Sequence, residues 1–322
     1  MPTLKMPAPR NRTLTLSNSE RAVLAKGLLK LRGSASTKGI LNRVLHQQLE
    51  DAVPNLPRGF VDLLFLDPPY NLNRTFGESS FARTDIAAYT EWFEGWFMQL
   101  LPLLKPTASV YVCGDWLTST SIHLVLNKHL HLQNRITWER EKGRGAKANW
   151  KNCSEDIWFA TAAKKGFYFN AEAVKVKRKV IAPYKVNGQL KDWEETENGN
   201  FRMTHPSNLW TDISIPFWSM PENTAHPTQK PEKLVAKLLL ASTQPGDVVL
   251  DPFAGSGTTA VVAQKLGRSF VVIEQEEEYC LWALKRLALA KSEPRIQGYA
   301  DGVFWERNSG KAITRKATIS LP

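Results

Sequence analysis

The chain has 322 residues, 43% of them hydrophobic, which suffices for one large α/β domain with an insertion or for two small domains and argues against global disorder. Lysine and arginine exceed aspartate and glutamate by 11 charges, an excess that suggests a polyanionic partner. Three separated cysteines without a CxxC pair fit a reducing cytoplasm and argue against a zinc cluster, and we find neither a membrane-spanning apolar run nor a signal peptide.

The first half of the chain predicts a basic arm followed by alternating strands and helices. Residues 1–38 form an arm that is poorly ordered or helical, because SNSERAVLAKGLLKLR (17–32) combines a serine cap signal with apolar residues at helical spacing. The elements expected next are a short strand, a helix ending near Pro54, a strand over 61–66, a helix over 84–106, a strand over 108–114, a helix over 121–130, and strands over 134–140 and 155–162.

The alternation of strands and helices is interrupted between about 166 and 222, a region that we interpret as an inserted module. It returns with a helix over 230–242, a strand, glycine-rich turn, helix and strand over 247–275, and a helix over 276–291. The remainder is a polar, basic tail that we expect to be loosely attached. Strands that alternate with helices predict a mainly parallel sheet.

The segment VVLDPFAGSGTTA (248–260) predicts a strand, a tight turn and the start of a helix. Gly255 and Gly257 allow close approach of a ligand to the backbone, and the free N–H groups of the new helix face the turn. The segment matches neither GxGxxG nor a P-loop, so phosphate binding is not implied. Glu274 ends the next strand, where an acid accepts hydrogen bonds from ribose hydroxyls. These features favour an adenosine ligand without phosphates; the alternative is a plain turn.

The corner DPPY follows the apolar strand that ends at Leu66. Asp67 and the Pro68 carbonyl can accept hydrogen bonds from an amino group, while Pro68 and Pro69 fix the backbone. Tyr70 offers a planar face on which a base can stack. The pattern therefore predicts a site for an aromatic amine, although it also suits a simple turn.

Two basic segments, 139–152 and 174–191, are interleaved with aromatic residues and predict phosphate and base contacts; solvated loops are the alternative. Their candidate DNA-binding cations are Arg140, Lys142, Arg144, Lys147, Lys151, Lys175, Lys177, Arg178 and Lys179. The alternation VKVKRKV is equally typical of a strand with a solvated face. Asn187, Gln189 and Arg202 are candidates for reading base edges.

LDPPYN (66–71) and LDPFAGSGTT (250–259) together resemble the S-adenosylmethionine-dependent DNA methyltransferases that act on exocyclic amino groups. Asp67 precedes Asp251 by 184 positions, an order similar to that of the β group of this family. AHPTQKPEKLVAKLLLAS (225–242), LLKPTASVYVCG (103–114) and EDIWFATAAKKGFYFN (155–170) also resemble family segments, with Ala108 replacing the usual glycine. The resemblance covers about residues 40–290.

The resemblance implies a circularly permuted Rossmann-like α/β sheet with an inserted target-recognition region. The corresponding divisions are a basic arm (1–38), a catalytic half with the DPPY motif (39–165), a target-recognition insert (166–222), a half that binds S-adenosylmethionine (223–292) and a polar basic tail (293–322). It further implies a cytoplasmic, nucleoid-associated enzyme that acts on double-stranded DNA without a membrane partner. A homodimer and a cognate restriction endonuclease stay open as partners.

By the same resemblance, a target base leaves the duplex and its amine is held by Asp67 and Pro68, with Pro69 fixing the corner and Tyr70 stacking on the ring. The residues implied for the S-adenosylmethionine site are Asp251, Phe253, Ala254, Gly255, Ser256, Gly257, Thr258, Glu274, His226, Thr228, Lys230 and Pro231. No metal is implied. Many relatives carry a Gly-Asp-Cys stretch where this chain has RVLHQQLEDAV (43–53), so His46 and Gln47 are not assigned to the site.

The aspartate that opens the motif favours adenine N6 as the methyl acceptor, with cytosine N4 as the alternative. C5-cytosine chemistry is excluded because the sequence has no Pro-Cys dipeptide to supply its thiolate. Methylation of RNA or of protein glutamine remains as a remote alternative, since those enzymes use a related Asn-Pro-Pro-Tyr corner.

Overall fold

The computed structural model describes residues 9–76, 79–140, 148–181, 185–186, 189–197 and 199–306. The α-helices are α1 (Asn18–Ala25), α2 (Thr37–Ile40), α3 (Leu49–Ala52), α4 (Ile86–Leu100), α5 (Thr118–His129), α6 (Glu232–Ser242), α7 (Thr258–Lys265) and α8 (Glu277–Ala290). Within the described residues no helix has the length and apolar character that crossing a bilayer requires.

The strands of the first half are β1 (Arg43–His46), β2 (Val61–Leu66), β3 (Arg74–Phe76), β4 (Ser79–Phe81), β5 (Leu104–Gly114), β6 (His131–Glu139) and β7 (Ser154–Thr161). Those of the second half are β8 (Val176–Lys179), β9 (Lys185–Val186), β10 (Gln189–Leu190), β11 (Glu194–Thr196), β12 (Gly199–Thr204), β13 (Leu209–Trp210), β14 (Val248–Asp251), β15 (Ser269–Glu274), β16 (Tyr299–Ala300) and β17 (Val303–Trp305).

The main sheet has the strand order β1-β15-β14-β2-β5-β7-β6-β13. Its pairs are parallel except those of β7, which runs antiparallel to both β5 and β6. Strands β14 and β15, from late in the chain, lie between β1 and β2, from its start. This interleaving confirms the expected permuted, mainly parallel α/β sheet.

Helices cover both faces of the sheet, which explains the continuous apolar run of β2. Leu63 and Phe65 pack into the core layer that contains α6, α7 and α8. Leu64 and Leu66 point to the opposite layer, which contains α4 and α5. Because side chains alternate along a strand, a strand buried on both faces must be apolar at nearly every position.

Two predicted helices end earlier than expected. The helix predicted over 84–106 ends at Leu100, and β5 begins at Leu104, so that Pro106 lies in a strand. The register between β2 and β5 shifts at this point, and the resulting irregularity accommodates an exposed proline. The helical pattern predicted over 17–32 ends at Ala25, because Leu29 instead bridges Leu45 of β1 in parallel.

The arm and the tail are both anchored to the body. Helix α1 of the arm starts with a capping box between Ser17 and Glu20, and its Arg21 pairs with Glu278 of α8. The expectation of a loosely attached tail is wrong for residues 299–305, because β17 pairs in parallel with β8. The tail and the inserted module thus share one sheet, with the order β11-β12-β8-β17-β16.

A buried charge cluster ties the inserted module to α6. Asp212, which follows β13, lies 2.7 Å from Lys233 Nζ and 2.8 Å from Lys237 Nζ. Lys237 is almost fully buried and lies 4.9 Å from the centre of the Trp210 ring. Burial lowers the pKa of Lys237 to about 8, although Asp212 opposes the shift. One carboxylate therefore compensates two buried ammonium groups on the helix that follows Lys230.

We expect Asp212→Asn to destabilise the protein by about 3–5 kcal/mol, because it leaves two buried ammonium groups without their anion. Urea unfolding at neutral pH measures the change in the free energy of unfolding. Glu293→Gln serves as the control, since the Glu293–Arg295 pair is exposed and its loss should not be measurable. A cost for Asp212→Asn as small as that of the control would contradict the assigned role.

Candidate functional site

The carboxyl ends of β2, β14 and β15 meet at one edge of the sheet and surround a cavity of about 270 Å³. Such an edge is the usual ligand site of an open α/β sheet. The cavity is lined by Gln47, Leu49, Glu50, Asp67, Pro68, Pro69, Tyr70, Leu72, Phe81, Trp92, His226, Thr228, Lys230, Pro252, Phe253, Gly255, Glu274, Gln275, Glu276 and Tyr279.

The DPPY corner forms one wall of this cavity. The Tyr70 hydroxyl donates to Asp67 Oδ1 at 2.9 Å, and Tyr89 of α4 donates to the Pro69 carbonyl at 2.8 Å. Burial and the nearby Asp67 carboxylate raise the pKa of Tyr70, so its hydroxyl remains a donor. The corner is therefore held both by its own side chains and by the helix beneath it.

Lys230 contacts the DPPY corner directly. Its ammonium lies 2.6 Å from Asp67 Oδ2, 3.2 Å from the Tyr70 hydroxyl and 3.4 Å from Glu155 Oε2. Glu155, at the start of β7, is 2% exposed and also pairs with Arg140. Burial opposes the charge of Lys230, but Asp67 and Glu155 outweigh it and raise the pKa of Lys230 above its usual value. Glu155 opens the segment EDIWFATAAKKGFYFN (155–170) but was not among the predicted site residues, and the pairing of β7 with β5 brings it to the site.

The glycine-rich turn forms the opposite wall. The Gly255 N–H donates to Glu274 Oε2 at 2.8 Å, and the Glu276 N–H donates to Glu274 Oε1 at 2.9 Å. Gly255 and Gly257 have φ values of 51° and 76°, in the left-handed region that favours glycine. A Cβ on Gly257 would lie 2.4 Å from the Ala283 Cβ, so this glycine also permits α7 to pack against α8.

Asp251 lies behind the turn and fixes its shape. It is 2% exposed and accepts hydrogen bonds from the Thr259 hydroxyl at 2.6 Å and from the Phe253 N–H at 3.0 Å. Burial raises the pKa of Asp251 to about 7, although both hydrogen bonds oppose the shift. Phe253 lines the cavity and packs edge-on against Trp96 with ring centres 4.9 Å apart.

The segment before α6 closes the cavity. The His226 ring lies against Tyr279 of α8 with ring centres 4.5 Å apart, and its Nδ1 accepts from the Thr228 N–H at 3.3 Å. The Thr258 hydroxyl donates to the Lys230 carbonyl at 3.0 Å. Pro231 occupies the N-cap position of α6, directly after Lys230.

The structure brings part of the implied donor set to the cavity surface and places the rest behind it. Phe253, Gly255, Glu274, His226, Thr228 and Lys230 line the cavity. Asp251, Ala254, Ser256, Thr258 and Pro231 are buried beneath the turn and shape it, as Gly257 does through its contact with Ala283. Arg286 of α8 holds the turn from below by donating to the Ser256 carbonyl at 2.9 Å.

Sequence reasoning missed several residues of the cavity. Gln47, left unassigned, lines it and donates its backbone N–H to the Glu274 carbonyl at 3.0 Å. Its side chain is committed to the Leu31 backbone. Its position at the end of β1 was the available signal, because strand ends of a parallel sheet converge. Glu50, Trp92, Glu276 and Tyr279 carried no comparable signal.

The predicted DNA-binding cations have different surroundings. Lys175 pairs with Glu172, Lys177 with Glu194, and Arg178 Nε lies 3.9 Å from Glu306, so these side chains also serve the small sheet. Lys151 and Lys179 are exposed, as are the base-reading candidates Gln189 and Arg202. Lys142, Arg144, Lys147 and Asn187 lie outside the described residues. Among the described residues we find no cluster of acidic, histidine and cysteine side chains that could hold a metal ion.

A second cavity of about 360 Å³ adjoins the first and shares His226 and Thr228 with it. Arg140 lies in its wall beside the exposed aromatic residues Phe217 and Trp218. Cation and aromatic side chains thus line a cavity that adjoins the one at the DPPY corner, a combination suited to nucleic acid.

Comparison with known proteins identifies relatives of this arrangement. The model of the DNA methylase family N6_N4_Mtase matches residues 61–285. The chain is 32% identical to the DNA adenine methyltransferase YhdJ of Escherichia coli (strain K12), over 77% of this chain and 83% of the relative. It is also 32% identical to the type II methyltransferase M.HpaI of Haemophilus parainfluenzae, over 73% of this chain and 71% of the relative.

Solved structures share the fold at lower identity. The cytosine-N4-specific PvuII DNA methyltransferase aligns with a TM-score of 0.56 and 18% identity, over 81% of this chain and 88% of that chain. The M1.HpyAVI–SAM complex aligns with a TM-score of 0.52 and 23% identity, over 76% of this chain and 98% of that chain. These likenesses show that the sheet and its covering helices form a known architecture.

We expect Gly255→Ala to weaken S-adenosylmethionine binding by about tenfold or more, because the new Cβ would lie 2.8 Å from His226 Nε2 and strain the turn. Isothermal titration calorimetry measures the affinity. Gly246→Ala is the matched control, since Gly246 also has positive φ, at 90°, but nothing within 4 Å of the new Cβ. Equal losses in the two variants would show that backbone strain alone, and not the contact with His226, is responsible.

We expect the free energy of unfolding to fall between about pH 4 and pH 7, since the pKa of Asp251 rises from 3.8 to about 7 on folding. A group with a raised pKa binds its proton more tightly in the folded state, so its contribution is complete in acid and lost as pH rises. Asp251→Asn should flatten this part of the profile in urea unfolding without cofactor. Glu293→Gln, which removes an exposed carboxylate whose pKa Arg295 lowers, should not.

Proposed function

The chain belongs to the DNA methylase family of N6 and N4 methyltransferases, and we propose that it transfers a methyl group to the N6 amine of adenine in duplex DNA. The broader activity, S-adenosylmethionine-dependent DNA methylation, follows from membership of the family. The choice of base, the site residues and the partners are the parts that we propose.

One observation carries the proposal: Asp67 and Tyr70 face the Gly255–Glu274 turn across a single cavity. An amine held at Asp67 and a methyl donor held at the turn would then be neighbours. Much of the rate can come from such positioning, because well-oriented groups react at very high effective molarity.

The cofactor fits the acidic character of the cavity. Its described lining carries the acids Glu50, Asp67, Glu274 and Glu276 together with the cation Lys230. A surplus of acids favours a cationic ligand. S-Adenosylmethionine supplies a methyl group on a positively charged sulfur when it is bound. Glu274 would hold the ribose, while His226, Thr228 and Lys230 would line the methionine end.

The residues of the DPPY corner would have different roles toward the target base. Asp67 and the Pro68 carbonyl would accept the two N–H bonds of the amine and favour the geometry in which its lone pair is available. Tyr70 would stack on the base and offset part of the unstacking cost, a few kcal/mol. The Asp67 carboxylate would stabilise the positive charge that develops on the amine nitrogen and accept its excess proton.

Adenine is favoured over cytosine on two grounds. The motif opens with Asp67, the residue more typical of adenine enzymes in the family that the sequence resembles. The relative YhdJ, which is 32% identical, is a DNA adenine methyltransferase. The cytosine-N4-specific PvuII enzyme is 18% identical, and a likeness at that identity shows only a shared fold. Cytosine N4 presents a similar amine and is the second candidate.

Duplex DNA would lie across the face that carries both cavities. Arg140, Phe217 and Trp218 line the second cavity, and Lys151 and Lys179 add exposed positive charge. Similarity to type II methyltransferases supports a role in restriction-modification, with a cognate endonuclease as a functional partner. Such an enzyme would act in the cytoplasm on nucleoid DNA.

Purified protein incubated with methyl-labelled S-adenosylmethionine and unmethylated genomic DNA should yield labelled N6-methyldeoxyadenosine after digestion to nucleosides and mass spectrometry. Asp67→Ala should lower the rate about 100-fold to 1000-fold, because the amine loses its charged acceptor. Asp85→Ala, which removes the N-cap of α4 outside the cavity, should retain activity.

Labelled N4-methyldeoxycytidine would contradict the choice of base and leave the family, the cofactor and the corner in place. Label in RNA or protein without label in DNA would contradict the proposal that DNA is the substrate.

A further inference from the structure

Both oxygens of the Asp67 carboxylate contact side chains of the protein. Its Oδ1 accepts from the Tyr70 hydroxyl at 2.9 Å, and its Oδ2 contacts the Lys230 ammonium at 2.6 Å. The proposed function requires the same carboxylate to accept a hydrogen bond from the amine of the target base. A carboxylate oxygen can accept more than one hydrogen bond, but an ammonium that stays on Asp67 competes with the amine for the same negative charge.

An alternative acceptor for the ammonium is present beside it. Glu155 Oε2 lies 3.4 Å from Lys230 Nζ, beyond the usual range of a hydrogen bond to nitrogen. This oxygen is inaccessible to solvent and has no hydrogen-bond partner among the described residues, while Arg140 pairs with the other oxygen. A buried acceptor left without a hydrogen bond costs about 1–3 kcal/mol, so a small movement of the ammonium toward Glu155 would recover that cost.

We propose that Glu155 is a positioning residue that draws the Lys230 ammonium away from Asp67 and so opens the carboxylate to the target amine. The inference rests on the proposed function. The ammonium, which lies 2.6 Å from Asp67 Oδ2, and the target amine would compete for this oxygen. Glu155 makes the exchange feasible because it keeps the displaced charge paired inside a buried site.

Of the two contacts of Asp67, the one with Lys230 is the one that lengthens, for two reasons. Among the described residues, Asp67 is the charged acceptor to which the Tyr70 hydroxyl donates, whereas Lys230 lies between two carboxylates. An ammonium that stayed on Asp67 would also repel the positive charge that develops on the amine during methyl transfer. Since Asp67 and Glu155 outweigh burial and raise its pKa, Lys230 keeps its proton and does not act as the base. The role of Lys230 is to move away from Asp67, so that the Asp67 carboxylate can accept the excess proton of the amine.

The test is a double-mutant cycle between Glu155→Gln and Lys230→Met. Alone, Glu155→Gln should lower kcat at saturating DNA by about tenfold or more, because the ammonium loses its second carboxylate and remains on Asp67. The Kd values for DNA and for S-adenosylmethionine should stay within about threefold of those of the parent, since neither ligand contact is removed. Glu94→Gln, the same change at a partly exposed pair on α4, is the control.

In the Lys230→Met background the same Glu155→Gln change should alter kcat by less than about threefold, because no ammonium remains to be displaced. Rates are normalised to the concentration of sites that bind S-adenosylmethionine. A change in the fraction of folded protein therefore does not alter the normalised kcat. A purely structural ion pair would change the melting temperature but not this normalised rate. Equal losses of kcat in the two backgrounds, or no loss in either, would overturn the inference.

Glu155→Asp keeps the test available if the glutamine variant does not fold. The shorter carboxylate retains the charge at a greater distance, so its kcat should fall between those of the parent and the glutamine variant; a kcat equal to that of the parent would count against the inference. Absence of DNA methylation by the parent protein would refute the proposed function itself, an outcome distinct from a failed cycle.

Discussion

The parallel pairing of β2 with β14 is the contact on which the site depends. Leu63 and Leu64 lie beside Val249 and Leu250, so the two strands end together at one edge of the sheet. Each strand is followed immediately by its own polar motif, Asp67 on one side and the glycine-rich turn on the other. Since the loops that follow parallel strands leave the sheet at the same edge, a distance of 184 positions along the chain does not separate the motifs in space.

Helix α6 and the residues just before it connect the parts of the molecule through buried charge. Lys230 reaches the DPPY corner, Lys233 and Lys237 hold Asp212 of the inserted module, and Glu232 pairs with Arg286 beneath the turn. Buried ions are stable only when they are paired, so each contact constrains the position of the helix. The region around Asp212, the glycine-rich turn and the DPPY corner are thereby fixed to one element.

Charge is distributed with opposite signs inside and outside the site. The chain as a whole carries a surplus of 11 positive charges, which suits a polyanion. The described lining of the catalytic cavity is instead rich in acids, with Lys230 as a cation held between Asp67 and Glu155. In the proposed function, a phosphate backbone would meet a surface of positive charge and a cationic cofactor would meet an acidic one.

The sequence by itself determined the sheet type, the two motifs and their order, because alternating apolar periods and turn residues are local properties of the chain. It also predicted Asp67, Tyr70, Gly255 and Glu274 as site residues: Asp67 directly follows a strand, Glu274 ends one, and Tyr70 and Gly255 lie in the turns after strands. Only the tertiary structure decided the place of Glu155 and Gln47 in the site, the attachment of residues 299–305 to β8, and the early end of α4. These depend on strand pairing and on burial of charge between segments far apart in the chain, and neither leaves a periodic signal in the sequence.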